Sequence, residues 1–556
     1  MMQGSLDLRQ VVRSLRRAPL FTTAASLTLA LGIGAAAAIF SIVYVVLLEP
    51  LPYRDAARLV VPQHTLLGIG IPTAPQSPGT YFQYQRGART IASIGVFVRT
   101  SANLSYADGS GEPERVNAAQ ITTTLLPTLG VSPAQGRNFS AAEDLPKGAR
   151  VAIISDGLWR RRFGGDSKIV GREVRINGER YEVIGVMPRG FEFPDDSRDA
   201  TNLLLPLQLD PASAFAGSFS YRAVARLAPG ATIAATETEL NRLLERLPEA
   251  FPNLFPSIPT AGLLKQAKAH AFVQTMHDEA VGSIARLLWI VAAVVGLVLV
   301  VTCANVANLM LVRAEARARE TAVRLALGAR RSRLVARLFL EGALLAAVGA
   351  VVGAMLAIAS VHILIGSSAG DLPRLENANM MAPIIVVTLI VAVLVTLTCS
   401  ALPALRIDTG ALAVSLKEGG RTGTGGARQR RVRQTLVVLQ VALALLLLAG
   451  SGLLMRTALE LRAVKPGFDP TGTVAFKLSI PKAEFPHPRD GALFYDQMLA
   501  RLRSLPGVAA AGIVSKLPLL GGESLAPVYI ERFPNRSNTL PPVYPFPVAS
   551  TGYFSA

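Results

Sequence analysis

Few residues in this chain combine side-chain type and spacing in a way that supports catalysis or metal binding. His270 and His277 are seven positions apart and could share one face of a helix, but two histidines without a third ligand make a weak metal signal. Solvated histidines are the better interpretation. The sequence contains no HExxH motif and no GxSxG nucleophile elbow. We therefore expect no catalytic residue, no metal site and no enzyme activity.

Polar and sulfur-containing side chains inside apolar stretches form a second group of candidates. The two cysteines of the chain, Cys303 and Cys399, both fall in such stretches, so no disulfide framework can hold the remaining parts. Asn305 and Asn308 are three positions apart and are expected on one face of a helix, where they would bond to a neighbouring helix or line a substrate path. His362 is either an intramembrane functional residue or an interfacial one.

Five apolar stretches without a charged residue are long enough to cross a bilayer. The chain is 51% hydrophobic, and a bilayer core of about 30 Å needs about 20 apolar residues in a helix. The first stretch has a basic flank and small residues like a signal peptide, but its apolar part continues too far, so we interpret it as an uncleaved anchor. The five predicted spans are 18–48, 287–312, 342–370, 377–405 and 434–455.

The distribution of arginine predicts the orientation of these spans. The formal charge of +18 comes mostly from three short segments next to apolar stretches, at 9–17, 313–337 and 406–433. Basic segments next to spans stay in the cytosol, so the charge indicates topology rather than a nucleic-acid partner. This places the N-terminus in the cytosol and residues 49–286 and 456–556 outside it.

Residues 1–17 form a predicted amphipathic helix ahead of the first span. Leu8, Val11, Val12 and Leu15 fall on one face, and arginines occupy the other. Two interpretations are equally good: an interfacial helix lying on anionic headgroups, or a charged flank that only sets topology.

Residues 49–286 have nearly balanced charge and read as an α+β extracytoplasmic domain. The segment around Asn177-Gly178 alternates apolar and polar residues, which predicts a β-hairpin. A buried strand at 151–155, a short helix at 156–163 and a helix within 231–250 are predicted beside it. Trp159 is expected to pack under the hairpin.

Residues 313–341 form a basic segment between the second and third spans. Its first part is rich in helix formers and ends at Gly328, which predicts a short amphipathic helix across the cytosolic surface. The arginines could serve only to set topology, but we favour docking of this element onto a cytosolic partner.

Three segments resemble a known family. The segment CANVANLMLVRAEARARETAVRLALGARRSRL and a following helix that opens with Leu340-Glu341 resemble the FtsX-like permease domain. The segment VAIISDGLWRRRFGGDSKIVGREVRINGERYEVIGVMPRGFEFP resembles the periplasmic core of MacB-type permeases, and residues 16–53 are typical of the same family. The resemblance implies a MacB-like periplasmic core at 49–286 and an FtsX-like domain at 287–405.

The second part of the chain resembles the start of another copy. A Gly-rich basic linker at 406–433 precedes the fifth span, and residues 456–556 look like an incomplete second periplasmic core. The fold class is thus a multi-pass α-helical membrane protein with an α+β extracytoplasmic domain, made of a four-helix permease unit plus the start of a second repeat. We expect a truncated or partial product with unpaired strand edges.

The resemblance also implies partners and a mechanism. Such permeases are ABC transporter subunits in which a cytosolic P-loop ATPase dimer drives the helices, and the helices transmit motion to the outer domain. No GxxxxGK[ST] motif occurs here, so ATP is expected on a separate subunit and no cofactor in this chain. Export is the expected process, with an extracytoplasmic or outer-membrane partner. The alternative is an FtsX-like regulatory protein that activates an extracytoplasmic partner without transport. The coupling residues implied are Glu320, Arg324, Leu327, Gly328 and Arg331, and 410–418 is a weaker candidate.

Overall fold

The structure is a computed structural model of the chain. It describes residues 2–108, 112–194, 200–255, 258–317, 320, 323, 331–367, 381–404, 425–464, 467–468, 472–478, 480, 485, 487–517, 525–528 and 543–555.

The described residues form helices and strands in the following order. The helices are α1 (Met2–Arg16), α2 (Pro19–Val43), α3 (Pro78–Gly87), α4 (Leu125–Leu129), α5 (Asp156–Phe163), α6 (Ile233–Glu245), α7 (Leu247–Ala250), α8 (Thr260–Gln266), α9 (Met276–Ala316), α10 (Arg331–Ser367), α11 (Met381–Ala404), α12 (Gly425–Ala463) and α13 (Pro488–Arg503). The strands are β1 (Leu59–Leu66), β2 (Ile71–Ala74), β3 (Ile91–Tyr106), β4 (Glu114–Ile121), β5 (Gln135–Gly136), β6 (Val151–Ile154), β7 (Glu173–Ile176), β8 (Glu179–Val186), β9 (Leu203–Pro206), β10 (Arg222–Leu227), β11 (Asn253–Phe255), β12 (Ile258–Pro259), β13 (Ala269–Thr275), β14 (Leu525–Pro527) and β15 (Val543–Pro545).

These elements divide into two compact units. The membrane unit comprises Met1–Glu49 and Val281–Phe468, and the outer unit comprises Pro50–Ala280 and Asp469–Ala556. Each unit is described by itself below.

The membrane unit confirms the five predicted spans. Five helices are long and apolar enough to cross a bilayer, and their spans are Pro19–Leu48, Ile284–Ala314, Ser332–Leu364, Met381–Ala401 and Val437–Leu461. The first span ends in a π-helical turn, Tyr44–Leu48.

Two of these helices begin earlier than the sequence indicated. The helix expected to open at Leu340 begins at Arg331, and the helix of the fifth span begins at Gly425, inside the predicted linker. Both extensions are rich in arginine, which favours helix even outside the apolar span.

Helix α1 packs on protein, which differs from both interpretations of residues 1–17. Val11 is fully buried and Leu15 is 8% exposed, and both belong to one apolar core with residues of α2, α9, α10 and α11. Arg13 and Arg16 remain exposed on the other side. The apolar face of α1 therefore covers the helix bundle rather than lipid, because burial against apolar side chains satisfies it.

Helices α2 and α10 cross at a point where only small residues fit. A Cβ atom added at Gly353 would lie 2.9 Å from the carbonyl oxygen of Ala30 and 3.0 Å from the nitrogen of Gly34. One turn earlier, a Cβ at Gly349 would lie 2.7 Å from the Cβ of Leu29. The two glycines of α10 form a GxxxG pattern, which allows close approach of membrane helices. This pattern is visible in the sequence, and our sequence analysis missed it.

The outer unit is built on one mixed sheet of eleven strands. Its order is β13-β1-β10-β3-β4-β9-β6-β8-β5, with β2 on β1 and with β7 on β3 and β8. The pairs β4–β9 and β6–β8 are parallel, and the other named pairs are antiparallel. Alternate residues of β1 enter different cores: Val60 and Leu66 on one face, Leu59 and Val61 on the other. The sheet is thus covered on both faces, as in an α/β domain.

The predicted hairpin and its neighbours are confirmed. Strands β7 and β8 pair across Asn177 and Gly178, which have φ angles of 52° and 85°, as a tight type I′ turn requires. The predicted strand at 151–155 and helix at 156–163 are β6 and α5. Trp159 packs on the core that contains the hairpin, and its Nε1 donates to the carbonyl oxygen of Asp166 at 2.9 Å.

Helix α6 protects the outer edge of the sheet. Asn241 exchanges two hydrogen bonds with the backbone of Ala271 in β13, at 2.7 and 2.9 Å, and Glu237 accepts from the nitrogen of Val273 at 2.9 Å. These side chains satisfy backbone groups that an edge strand would otherwise expose.

His270 and His277 do not share a helical face, the alternative that their spacing left open. His270 lies exposed on β13, whereas His277 lies in the first turn of α9. The chain changes from strand to helix between them, where the Thr275 hydroxyl accepts from the nitrogen of Asp278 at 2.9 Å and caps the helix.

We predict that Gly353→Ala destabilises the membrane unit. The added methyl group meets backbone atoms that cannot rotate away, so α2 and α10 must separate, at a cost of about 2 kcal/mol. Thermal unfolding of the full chain in detergent measures this loss. Gly450→Ala in α12 is the matched control, because a Cβ there has nothing within 4 Å. Equal midpoints for the two variants would contradict the packing argument.

Candidate functional site

Helix α9 contributes residues to two separate polar clusters, one in each unit. It runs without a break from Met276 to Ala316, over 41 residues. At 1.5 Å per residue its length is about 60 Å, roughly twice the thickness of a bilayer core. Only its middle, Ile284–Ala314, is a candidate span. Polar contacts hold α9 near each of its ends, first in the outer unit and then in the membrane unit.

At the outer end, the carboxylate of Glu279 binds side chains from three strands. It accepts from Gln63 Nε2 of β1 at 3.0 Å and from Arg222 Nη2 of β10 at 3.2 Å, and Gln274 of β13 also donates to it. The Glu279 side chain is 24% exposed and that of Arg222 is 32% exposed, so the pair is partly shielded from water. The first turn of α9 is therefore tied directly to the sheet.

At the inner end, Arg313 of α9 and Arg317, the residue directly after α9, surround one serine of α1. Arg313 Nη2 donates to the Ser14 hydroxyl at 3.0 Å and to the Ser14 carbonyl at 2.9 Å, and Arg317 Nη2 donates to the same hydroxyl at 2.9 Å. Arg317 Nη1 also donates to Glu341 of α10 at 3.2 Å. One cluster thus joins α1, α9 and α10.

Glu341 is the buried anion of this inner cluster. The residue is 5% exposed. Besides Arg317, Arg337 lies one turn away with Nε at 3.9 Å, and the Ser14 hydroxyl lies at 3.4 Å. A buried carboxylate is costly unless it is paired and hydrogen-bonded, so these three groups are what make its position tolerable.

Arg313 is held by its ring contact as much as by hydrogen bonds. Its guanidinium carbon lies 4.4 Å from the ring centroid of Phe21 in α2, a cation–π distance. Its Nε and Nη1 atoms are buried and find no acceptor among the residues that the structure describes. The inner cluster therefore carries more donors than acceptors.

The residues implied for coupling lie beside this inner cluster along the chain. Arg324, Leu327 and Gly328 fall outside the described residues. Glu320 is exposed four positions after the end of α9, and Arg331 is the first residue of α10. Of the segment expected to form a separate helix across the cytosolic surface, the structure describes positions 320 and 323, and the rest of 318–330 lies outside the described residues.

The intramembrane polar residues separate in the structure. Asn305 is exposed on α9, whereas Asn308 is half-buried, and its Oδ1 has no donor among the described residues. His362 is exposed on α10, with Nδ1 2.9 Å from the carbonyl oxygen of Ile358.

Titratable groups with perturbed pKa values in the outer unit have structural partners. Burial lowers the pKa of His64 to about 4, while its ring contacts the Tyr84 hydroxyl at 2.8 Å and the Pro75 carbonyl at 3.2 Å. A bidentate ion pair with Arg137 lowers the pKa of Glu143 to about 2. Each of these groups is fixed within its own core or loop, so neither is poised for proton transfer.

Glu279 and Glu341 are the functional candidates that sequence reasoning missed. Arg337 and Glu341 are four positions apart, and so are Arg313 and Arg317, so a sequence signal for the inner cluster existed. From the sequence we assigned those arginines to topology or to docking of a cytosolic partner, and not to contacts between helices. The partners of Glu279 lie on three strands distant in the sequence, and no local pattern indicates them.

Five apolar spans, with a mixed-sheet domain between the first and the second, define a multi-pass membrane protein of the permease type. A family model for the MacB-like periplasmic core domain matches residues 22–243, and one for the FtsX-like permease C-terminal domain matches residues 292–409. The chain belongs to the MacB/FtsX-like family of ABC transporter permeases. The resemblance stated from the sequence is confirmed.

Curated relatives carry export names. The chain is 26% identical over 318 residues to the macrolide export ATP-binding/permease protein MacB of Bordetella avium, covering 54% of this chain and 45% of that protein. It is 24% identical to the pyoverdine export ATP-binding/permease protein PvdT of Pseudomonas entomophila, covering 42% of this chain and 34% of that protein. The chain thus spans less than half the length of these relatives.

One solved structure that the chain matches is the periplasmic region of MacB from Actinobacillus actinomycetemcomitans. The identity is 14%, the match covers 42% of this chain and 94% of that chain, and the TM-score is 0.29. The spans and the periplasmic-type domain fit an inner-membrane protein.

We predict that Glu341→Gln lowers the free energy of unfolding by about 2 kcal/mol, because it leaves two arginines without their anion. The value is below that of a fully buried pair since Arg317 and Arg337 are partly hydrated. Glu460→Gln is the matched control: it breaks an exposed pair with Arg456 at 2.9 Å and should change stability by less than about 0.5 kcal/mol. Thermal unfolding of the full chain in detergent compares them. A larger effect at Glu460 would refute the assignment of the inner cluster.

We predict that Glu279→Ala loosens the first turn of α9. Loss of the shared acceptor should raise amide hydrogen exchange at 276–282 roughly tenfold, which corresponds to about 1.4 kcal/mol of local opening. Hydrogen-exchange mass spectrometry of the full chain measures it. Glu249→Ala removes an exposed partner of Arg246 and is expected to leave this segment unchanged. Unchanged exchange in Glu279→Ala would show that the sheet does not hold the helix there.

Proposed function

We propose that this chain is the permease subunit of an ABC-type export system that works by mechanotransmission. A cytosolic ATPase would move the inner ends of the helices, and the helices would carry that motion to the extracytoplasmic domain. The observation that supports this most directly is α9, one helix with polar anchors near both ends. The export names of the relatives support the direction of transport.

A continuous helix suits this role for a physical reason. Its backbone hydrogen bonds run along the axis, so α9 resists bending except where a proline or a bulge interrupts it, and 276–316 contains no proline. Displacement at Arg313 and Arg317 would therefore reach Glu279 through α9, which acts as a stiff rod. Without an anchor at each end, motion would be lost in side-chain rearrangement.

The inner cluster would link the rod to the other moving parts. Ser14 belongs to α1 and Glu341 to α10, so a partner that pushes on the segment between α9 and α10 would act on all three helices together. The close crossing of α2 and α10 through Gly34 and Gly353 would extend this group to α2.

The proposed energy source is a separate cytosolic P-loop ATPase dimer that binds ATP. The flanks of its docking segment would be Glu320 and Arg331, with Arg324, Leu327 and Gly328 between them. The positive-inside rule supports this side of the membrane, since Arg313, Arg317 and Arg337 cluster there. By the same rule the N-terminus is cytosolic and residues 49–286 are extracytoplasmic.

The test is reconstitution of the full chain in lipid nanodiscs with the P-loop ATPase that copurifies under mild extraction. We expect the chain to stimulate ATP hydrolysis several-fold. Glu341→Gln should reduce that stimulation, and Glu460→Gln should retain it. Glu279→Ala should keep the stimulation but lose export from sealed vesicles, because the break lies beyond the membrane.

Two results would contradict the proposal. Recovery of the chain with no P-loop protein after gentle extraction would remove the energy source. Stimulated hydrolysis with no substrate movement, together with activation of an extracytoplasmic enzyme, would instead establish the FtsX-like regulatory role.

A further inference from the structure

The two cysteines of the chain lie side by side in the membrane unit. Cys303 is on α9 and Cys399 is on α11, 96 positions later, and no other cysteine occurs in 556 residues. The Cys399 thiol donates to the Cys303 carbonyl oxygen at 3.5 Å, so the sulfur of one cysteine touches the backbone of the other. Both thiols are free in the structure.

The surroundings of this thiol pair are tightly packed. Cys399 is 2% exposed, and Cys303 is half-buried against the same apolar core, which includes Val306 and Val395. Next to Cys399, the Ser400 side chain occupies the space where a Cβ of Gly342 in α10 would lie. The thiol pair therefore sits where α9, α10 and α11 meet.

Packing alone explains one buried cysteine, because a thiol behaves as a small apolar group. It does not explain why both cysteines of the chain meet from different helices. A sulfur–sulfur bond of about 2.05 Å needs the two sulfurs to approach each other, and the Cys399 sulfur already lies 3.5 Å from the backbone of Cys303. The product is neutral, so its formation buries no charge.

We propose that Cys303 and Cys399 are an oxidation site that closes to an intramembrane disulfide and fixes α9 to α11. The oxidant is hydrogen peroxide. The more accessible thiol, Cys303, is oxidised by one peroxide to a sulfenic acid with release of one water. The Cys399 sulfur then displaces the hydroxyl group as a second water and forms the disulfide. Two thiols are oxidised by two electrons, and one peroxide is reduced.

This inference has a consequence that rests on the proposed function. If α9 is the rod that carries motion, then a covalent link to α11 restrains it in the inner half of the membrane. Oxidation would thus stop transmission, and a dithiol reductant would restore it.

The chemical test does not depend on any transport activity. The full chain in nanodiscs is treated with hydrogen peroxide, denatured, and labelled with a polyethylene-glycol maleimide. We expect two labels before oxidation and none after it, with a peptide pair 2 Da lighter than the two thiol peptides. Cys303→Ser and Cys399→Ser should each keep at most one thiol and form no internal link. Retention of both thiols, or only a reducible dimer between chains, would overturn the proposal.

The functional test separates failure of this inference from failure of the proposed function. Peroxide should lower ATPase stimulation several-fold in the native chain but leave Cys303→Ala unaffected, and dithiothreitol should reverse the loss. If the disulfide forms and stimulation persists, the site stands and the rod mechanism is wrong. If no disulfide forms while stimulation is normal, the proposed function stands and the oxidation site is wrong.

Discussion

The continuity of α9 is the constraint on which the candidate site depends. Within a bilayer a helix must satisfy all its backbone groups internally, so the apolar part of α9 has no freedom to unwind. What the sequence can vary is how each end is held. At the outer end one carboxylate, Glu279, gathers donors from β1, β10 and β13. At the inner end two guanidinium groups, of Arg313 and Arg317, gather around Ser14. The two anchors use opposite charges: the anion Glu279 in the first turn of α9, and the cations Arg313 and Arg317 at and directly after its last turn.

Because their charged groups are buried, these anchors restrict the positions that the helices can take relative to one another. Glu341 is almost fully buried, and its removal from water must be offset by Arg317, Arg337 and Ser14 together. If any one helix of this cluster moves, a charged side chain therefore becomes exposed to water or stays buried without its partner. The glycine crossing of α2 and α10 has the same effect through sterics, because a contact between backbones tolerates little sliding. Helices joined in these two ways have few alternative arrangements, which is what discrete switching requires.

The parts of the fold that the sequence predicted are those with a local cause. The five spans follow from uncharged apolar length, and the β7–β8 hairpin follows from Asn177-Gly178, whose positive φ angles need those residue types. The failures are tertiary. A shared helical face for His270 and His277 stayed open in the sequence, because a seven-residue spacing cannot reveal that Thr275 caps a new helix between them. For α1, the sequence allowed an interfacial helix on lipid headgroups or a charged flank that only sets topology. Periodicity identifies a buried face but not the helices that α1 packs against. Glu279 was invisible because its donors come from three separate strands.

The fifth span shows by contrast what packing contributes. The apolar core of the membrane unit draws its described members from α1, α2, α9, α10 and α11, whereas the span Val437–Leu461 of α12 has no buried share in the part of the chain that the structure describes. Its ion pair joins Arg456 to Glu460 one helical turn later, and both side chains are exposed. A Cβ atom added at Gly450 would meet no other atom within 4 Å. Spans of similar hydropathy therefore differ in packing: four contribute to the shared core, and the fifth does not. The helices whose small residues and charges are matched by a neighbour pack into one core, and these are the other four spans together with α1.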